Sequence, residues 1–296
     1  MSKLKKHKIF QATDHLVSGE TFSIYWDSAK NRAWTGVEHL DSFDAYYESS
    51  DYISHRSKAD SLFSFFYMWG RRIMLTYKYA ILKRHLLPNS RLLDIGCGTG
   101  SFLSFMNKKG FDVFGVESNI KARKICLERN IAVQSTESEL APASFDTISL
   151  WHVLEHLPHP ESSLATYRAL LKPSGILVVA VPNFESHDRI HYHQDWAALD
   201  VPRHLWHFTP KGLIMMAYEC GFDLIKRRAL VLDVFYICYL SEKYRKKSFP
   251  FVRGILKGTF FSIKAFFTGR HSSLVYIFRK RPYQRLKNES LISQSD

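Results

Sequence analysis

The chain has 296 residues, 46% apolar and 15% aromatic, enough for one large domain with appendages or two small ones. Its four cysteines, Cys97, Cys126, Cys220 and Cys238, form no C-x-x-C pair, so neither a zinc knuckle nor a disulfide framework is indicated. No run reaches the roughly 18 apolar residues of a membrane span, and the basic residues 1–8 have no apolar run behind them, so a reduced, cytoplasmic setting is expected.

The net charge of +13 is unevenly placed. Between Lys226 and Lys287 stand 16 Lys plus Arg and two acids, Asp233 and Glu242, so this stretch carries all of the excess. It could face nucleic acid, anionic lipid or an acidic small substrate.

Residues 1–60 are polar with scattered aromatics. The alternation Thr21-Phe22-Ser23-Ile24-Tyr25-Trp26 suggests a small hairpin or two. This stretch reads as an arm packed on the domain that follows, with Tyr46, Tyr47 and His55 placed to help close a cleft. Residues 62–87 turn helical, with Leu62, Phe65, Phe66, Trp69, Ile73, Tyr79 and Leu82 at helical spacing. The basic residues between them, Lys78 included, read as a solvated face.

Residues 91–183 then alternate strand and helix, as a doubly wound parallel sheet requires. Strands are expected at 91–95, 112–116, 131–134, 145–150 and 175–181, and helices near 99–109, 119–129 and 160–171. A helix follows at 210–220, with Thr209 as N-cap and Pro210 in its first turn. Two more strands are expected at 222–232 and 273–278. The main domain is thus assigned to 61–233 and 271–287. Residues 234–270 form an insertion, basic, aromatic and amphipathic between 251 and 268. It reads as a helical lid, a lining for an apolar acceptor, or a peripheral contact with the inner membrane surface. The tail, 288–296, is expected to be disordered.

The sequence is most informative at Leu92-Leu93-Asp94-Ile95-Gly96-Cys97-Gly98-Thr99-Gly100. A short apolar run enters three glycines at alternate positions and leaves in a helical pattern. Such a turn lets a ligand approach bare backbone. A nicotinamide-binding turn would read G-x-G-x-x-G and seat a pyrophosphate. Here the spacing is G-x-G-x-G, and Asp94 would repel a pyrophosphate and attract an ammonium. Glu117, at the tip of the next strand, can accept hydrogen bonds from both ribose hydroxyls. A ribose, an amino-acid ammonium and no phosphate describe S-adenosylmethionine.

With these residues the chain resembles the class I methyltransferases. The resemblance implies an α/β, Rossmann-like, seven-stranded sheet with an antiparallel last strand. The implied cofactor contacts are Asp94, Ile95, Gly96, Cys97, Gly98 and Gly100 in the turn, then Glu117 and Ser118, Gln134 and Thr136, and Trp151 and His152 after the next three strands. The segments around residues 14–22 and 46–55 are similar to leaders that carry a zinc ribbon in some bacterial methyltransferases. No cysteine precedes Cys97, so any such ribbon would be degenerate.

Two loops carry the acceptor chemistry. Trp151-His152-Val153-Leu154-Glu155-His156-Leu157-Pro158 looks like the corresponding motif of small-molecule methyltransferases, quinone-biosynthetic ones among them. His152, Glu155 and His156 are candidates for a base, for a hydrogen-bonded brace of the loop, or for metal ligands; no metal is assigned. The segment Asp200-Val201-Pro202-Arg203-His204-Leu205-Trp206-His207-Phe208 resembles the substrate loop of a broad bacterial group acting on sugars, quinones and other metabolites. Asn183, Arg203 and His204 are candidate acceptor contacts, Arg203 as a bidentate fork. His204 and His207 are further candidate bases.

The expected activity is methyl transfer to a small acceptor: a sugar or glycan, a quinone or a lipid-linked metabolite. A nucleic-acid methyltransferase is the first alternative, disfavoured because no Asn/Asp-Pro-Pro-aromatic loop follows the fourth strand. A catalytically silent scaffold is the second, disfavoured by the intact Asp94, Gly96, Gly98 and Glu117.

Overall fold

The computed structural model describes residues 6–37, residue 46 and residues 61–282. Tyr47, His55 and the tail 288–296 lie outside the described residues.

Three short strands open the chain: β1 (Lys6–Thr13), β2 (Thr21–Asp27) and β3 (Arg32–Gly36). Their turns are set by aspartates that satisfy the turn amides. Asp14 accepts from Leu16 and Ser18 N–H, and Asp27 from Ala29 and Lys30 N–H. The β2 alternation buries Ile24 completely. Helix α1 (Ser61–Leu82) then leads to the main sheet.

The main sheet contains β4 (Arg91–Ile95), β5 (Asp112–Val116), β6 (Ala132–Gln134), β7 (Phe145–Trp151) and β8 (Leu171–Pro182), all parallel. Helices α2 (Ser101–Asn107), α3 (Ile120–Glu128) and α4 (Pro160–Leu170) connect them. After β8 come α5 (His187–Tyr192), strand β9 (Trp206–Phe208), α6 (Pro210–Glu219), β10 (Phe222–Ala229), the helices α7 (Asp233–Tyr244) and α8 (Pro250–Thr268), and β11 (Ser273–Lys280). The spatial order is β10-β11-β8-β7-β4-β5-β6, with β11 antiparallel to its neighbours.

Strands such as β8 are apolar on both faces because both are covered. Leu177, Val179 and Val181 join the core under α4 and α6, while Ile176, Val178 and Ala180 join the core under α1 and α2. The chain winds outward from β4 through β5 to β6, then returns to β7 on the other side. This reversal opens a crevice at the carboxyl ends of β4 and β7, where ligands bind in such sheets.

Two features depart from the sequence reading. The expected strand 222–232 stops at Ala229, and Asp233 already lies in α7. The insertion is a hairpin of two helices, α7 and α8. In addition, β9 pairs with β3, so the arm and the loop after β8 form one antiparallel sheet, β1-β2-β3-β9. Arg32 ties the arm down by an ion pair with Glu161 and by stacking 4.2 Å from the Trp206 ring.

Candidate active site

Gly96, Gly98 and Gly100 all adopt positive φ, at 63°, 55° and 69°. Two of the three are also needed for space. A Cβ on Gly96 would lie 2.6 Å from Val153, and one on Gly100 2.8 Å from Ile131. A Cβ on Gly98 would meet nothing within 4 Å, so this residue faces the open crevice. Cys97 N–H donates to the Val116 carbonyl at 3.1 Å, and Glu117 N–H to the Gln134 carbonyl at 2.9 Å. These bonds hold the tips of β4, β5 and β6 in line. The Glu117 carboxylate accepts from Gly98 N–H at 2.7 Å and Asn119 N–H at 2.9 Å. Each oxygen keeps acceptor capacity for a ribose hydroxyl.

Asp94 is buried and accepts one side-chain hydrogen bond, from Ser149 at 2.6 Å. Burial pushes its carboxyl up to about 7, against the Ser149 hydrogen bond and the charge of Lys78. Lys78, read from sequence as part of a solvated face, instead projects from α1 toward the crevice. Its ammonium lies 4.3 Å from the centre of the Trp151 ring and is coupled to Asp94 and Asp233. Burial lowers its pKa and those two carboxylates oppose the shift. Gln134 Oε1 and Trp151 Nε1 are buried with no hydrogen-bond partner among the described residues.

An acid that burial leaves near neutrality, an acid at the strand tip, a cation beside them and orphaned polar atoms fit a cationic, ribose-bearing ligand. Asp94 would take its ammonium, Glu117 its ribose and Lys78 its carboxylate. Ser118 and Thr136 sit exposed at the rim, and Ile95 and Cys97 are buried beneath the turn.

Across the crevice, His152 follows β7 with φ at 58°. Its Nδ1 lies 3.2 Å from Glu155 Oε1 and its Nε2 3.0 Å from Asp233 Oδ2. Burial opposes its charge, but the hydrogen bonds to Asp233 and Glu155 outweigh it and raise the imidazole to about 10. In this state His152 is an imidazolium and holds no lone pair for a base. Glu155 is fully buried; burial would raise its pKa, and the His152 hydrogen bond and charge pull it below the ordinary value. His156 is brought down to about 4 by burial, with His204 adding to the effect. Its Nδ1 lies 2.9 Å from the Arg203 carbonyl, and its ring packs edge-on against His204 at 4.5 Å. Glu155, His156 and His204 each bring one ligand atom within 4.8 Å of the others, a group able to hold a divalent cation.

Several residues read as acceptor contacts or bases are committed elsewhere. Arg203 is buried and its Nη2 bonds Asp14 at 3.0 Å and Asp200 at 2.7 Å, so one arm of the fork expected for an acceptor anion is committed to the N-terminal arm and its own loop, while Nη1 is buried with no partner among the described residues. His207 belongs to β9, packs on Phe184 and lies 3.0 Å from Thr35 Oγ1; burial drives its pKa far below the usual range. Its ring is enclosed between Thr35 and Phe184, which argues against a base there. His204 Nδ1 is engaged by the Ala198 carbonyl. Asn183 donates to the His271 carbonyl and accepts from Glu185 N–H. It lines a separate cleft with Lys211, Arg227 and Arg270, none of whose lining residues belongs to the glycine turn. Lys78, Ser149 and Asp233, which complete the site, were not singled out from sequence.

A family model described as "Methyltransferase domain" matches residues 70–227, more than half of the chain and all of the crevice residues but Asp233. The chain belongs to the class I S-adenosylmethionine-dependent methyltransferases. Within this family it is 36% identical over 101 residues to the ubiquinone biosynthesis O-methyltransferase of Paracidovorax citrulli, covering 30% of this chain and 42% of that one. It is 26% identical over 163 residues to the protein of that name from Cupriavidus pinatubonensis, covering 50% and 66%. The chain thus spans less than two thirds of the curated relatives it matches. Among solved structures, the 1,6-didemethyltoxoflavin-N1-methyltransferase of Burkholderia thailandensis superposes with a TM-score of 0.51 at 19% identity, over 87% of this methyltransferase and 99% of that one. The overlap establishes the shared fold.

Proposed function

We propose that the protein transfers a methyl group from S-adenosylmethionine to a hydroxyl of a small, ring-bearing acceptor of the quinol type, with His152 as the base. The observation that carries this reading is the placement of His152 at the tip of β7, between a buried carboxylate and a more accessible one. Its relatives named for O-methylation in ubiquinone biosynthesis support the acceptor class.

When bound, the cofactor would supply an electrophilic methyl group on a sulfonium, which an in-line acceptor oxygen would take as the carbon–sulfur bond breaks and the thioether, S-adenosylhomocysteine, leaves. The protein must align that oxygen and remove its proton. Glu155 is fixed in the core and fixes the His152 ring through Nδ1. Asp233 belongs to α7, outside the parallel core, and is the replaceable partner. While it caps Nε2, the imidazole stays protonated. An acceptor hydroxyl that displaces Asp233 removes one of the two charges holding that proton. The proton passes to solvent, Nε2 gains a lone pair, and the hydroxyl proton moves to Nε2 as the oxygen attacks. Glu155 then stabilises the imidazolium, as a carboxylate does behind a catalytic histidine.

The test is methyl transfer from labelled cofactor to a catechol or quinol acceptor by wild type and His152→Gln. Loss of a general base lowers kcat by about 10²–10⁴-fold. Affinity for S-adenosylhomocysteine should be retained in the variant. Equal kcat in the two proteins would remove His152 from the chemistry.

A further inference from the structure

We infer that α8 is a docking helix that lays its outer face on an anionic lipid surface. The helix has two opposed apolar faces, of which the fold uses one. Gly254, Gly258, Phe261 and Ala265 recur at helical spacing and are buried, the glycines against α7 and Phe261 against His191 and Tyr192 of α5. The fit is close: a Cβ on Gly254 would lie 2.6 Å from the Tyr239 Cα, and one on Gly258 2.6 Å from the Phe235 ring. At about 100° per residue, Val252, Leu256, Ile263 and Phe267 point the opposite way. They are 53%, 66%, 58% and 80% exposed, and Phe260 and Phe266 widen the stripe on either side. A soluble surface rarely keeps so continuous an apolar patch without a partner.

Charge identifies the partner. Lys257 and Lys264 stand along one flank of the exposed stripe, in row with Arg253, which is paired to Glu242, and with Lys246 and Lys247 before the helix and Arg270 after it. No acidic residue occurs between Lys243 and Lys280. An apolar face edged by cations, on a helix of 19 residues, matches the interface of an anionic bilayer, where acyl chains take the stripe and headgroups the row. No helix among the described residues is long and apolar enough to cross a membrane, so the contact lies in the surface plane. A second copy of this chain would set two such basic rows against each other.

The placement also links the lipid to the site. α8 packs along α7, and α7 begins at Asp233, the residue that caps His152. Docking would hold the α7–α8 hairpin, and with it Asp233, at the bilayer, where an apolar acceptor dissolves. This link rests on the proposed role of His152; the docking itself does not.

The test is cosedimentation of the full chain with vesicles of phosphatidylcholine, alone or mixed with phosphatidylglycerol. Binding is expected to the mixed vesicles and to weaken with added salt. The pair Lys257→Gln and Lys264→Gln should lower the partition coefficient about twenty-five-fold, at roughly a factor of five per lysine. The pair Leu256→Glu and Phe267→Glu should abolish binding while leaving S-adenosylhomocysteine affinity unchanged, which reports that the fold and cofactor site are intact. Failure to bind the mixed vesicles, or equal binding by wild type and both variants, would overturn the proposal. So would a concentration-dependent dimer in sedimentation velocity that the Leu256→Glu and Phe267→Glu variant dissolves, which would assign the face to a second copy.

Discussion

The two walls of the crevice handle charge in opposite ways. On the glycine-turn side, Asp94 is buried with one side-chain hydrogen bond and sits near neutrality, a carboxylate that gains from a cation not supplied in full by the protein. On the other side, charges are matched internally: His152 by Glu155 and Asp233, Arg203 by Asp14 and Asp200. The first wall is preorganised for its ligand. In the proposed mechanism the second gives up a contact to admit one, and Asp233, on the helical hairpin, is that contact. A cofactor wall can be rigid because its ligand is constant, whereas an acceptor wall has to open and close with each turnover.

The sharpest break in this comparison is Arg203→Ala. If the guanidinium serves the fold, its loss leaves Asp14 and Asp200 facing each other in the interior, and stability should fall by about 3–5 kcal/mol in urea unfolding. An acceptor fork would instead raise KM and leave stability alone. Asp94→Asn comes next. It should weaken S-adenosylhomocysteine about a hundredfold by calorimetry, or ~2.7 kcal/mol, without lowering the melting temperature of the empty protein. In wild type, a cation at Asp94 favours the ionised form, so cofactor affinity should rise with pH through about 7 and binding below that pH should release a proton.

Asp233→Asn tests the replaceable partner. Removing one charged hydrogen bond worth about 1.5–3 kcal/mol should move the acid limb of the kcat/KM profile down by about one to two pH units. An unmoved limb would mean that Asp233 does not control the His152 proton. A further effect is on stability. Since His152 is raised from an ordinary 6.5 to about 10, its pairing stabilises the fold fully below pH 6.5 and is lost as pH rises through about 10. Melting temperatures of wild type and His152→Gln should therefore converge above pH 10.

The cofactor wall was legible in the sequence because its parts are local. Asp94 to Gly100 is one turn, and Glu117 ends the very next strand. Strand limits from β4 to β7 could be placed by apolar runs and glycine or proline breaks for the same reason, whereas β8 begins at Leu171, four residues before its expected start. The acceptor wall depends on long-range partners. Nothing near Arg203 in sequence announces Asp14, and nothing near His152 announces Asp233. Lys78 lies among other basic residues on an amphipathic helix, and only the packing of α1 on the sheet distinguishes it from its neighbours. β9 has three residues, too few for a periodicity, and exists because β3 offers an edge to pair with.

That edge has a consequence for biosynthesis. The Thr35 hydroxyl bonds to the His204 carbonyl across 169 residues of chain. At about 5–20 residues per second, the meander of β1 to β3 leaves the ribosome some ten to thirty seconds before its fourth strand exists. During that interval its apolar side, with Ala12, Ile24 and Ala33, has nothing to cover it. The arm is made first and docks late, so a chain stalled before residue 206 should present an open β-edge to any chaperone that reads one.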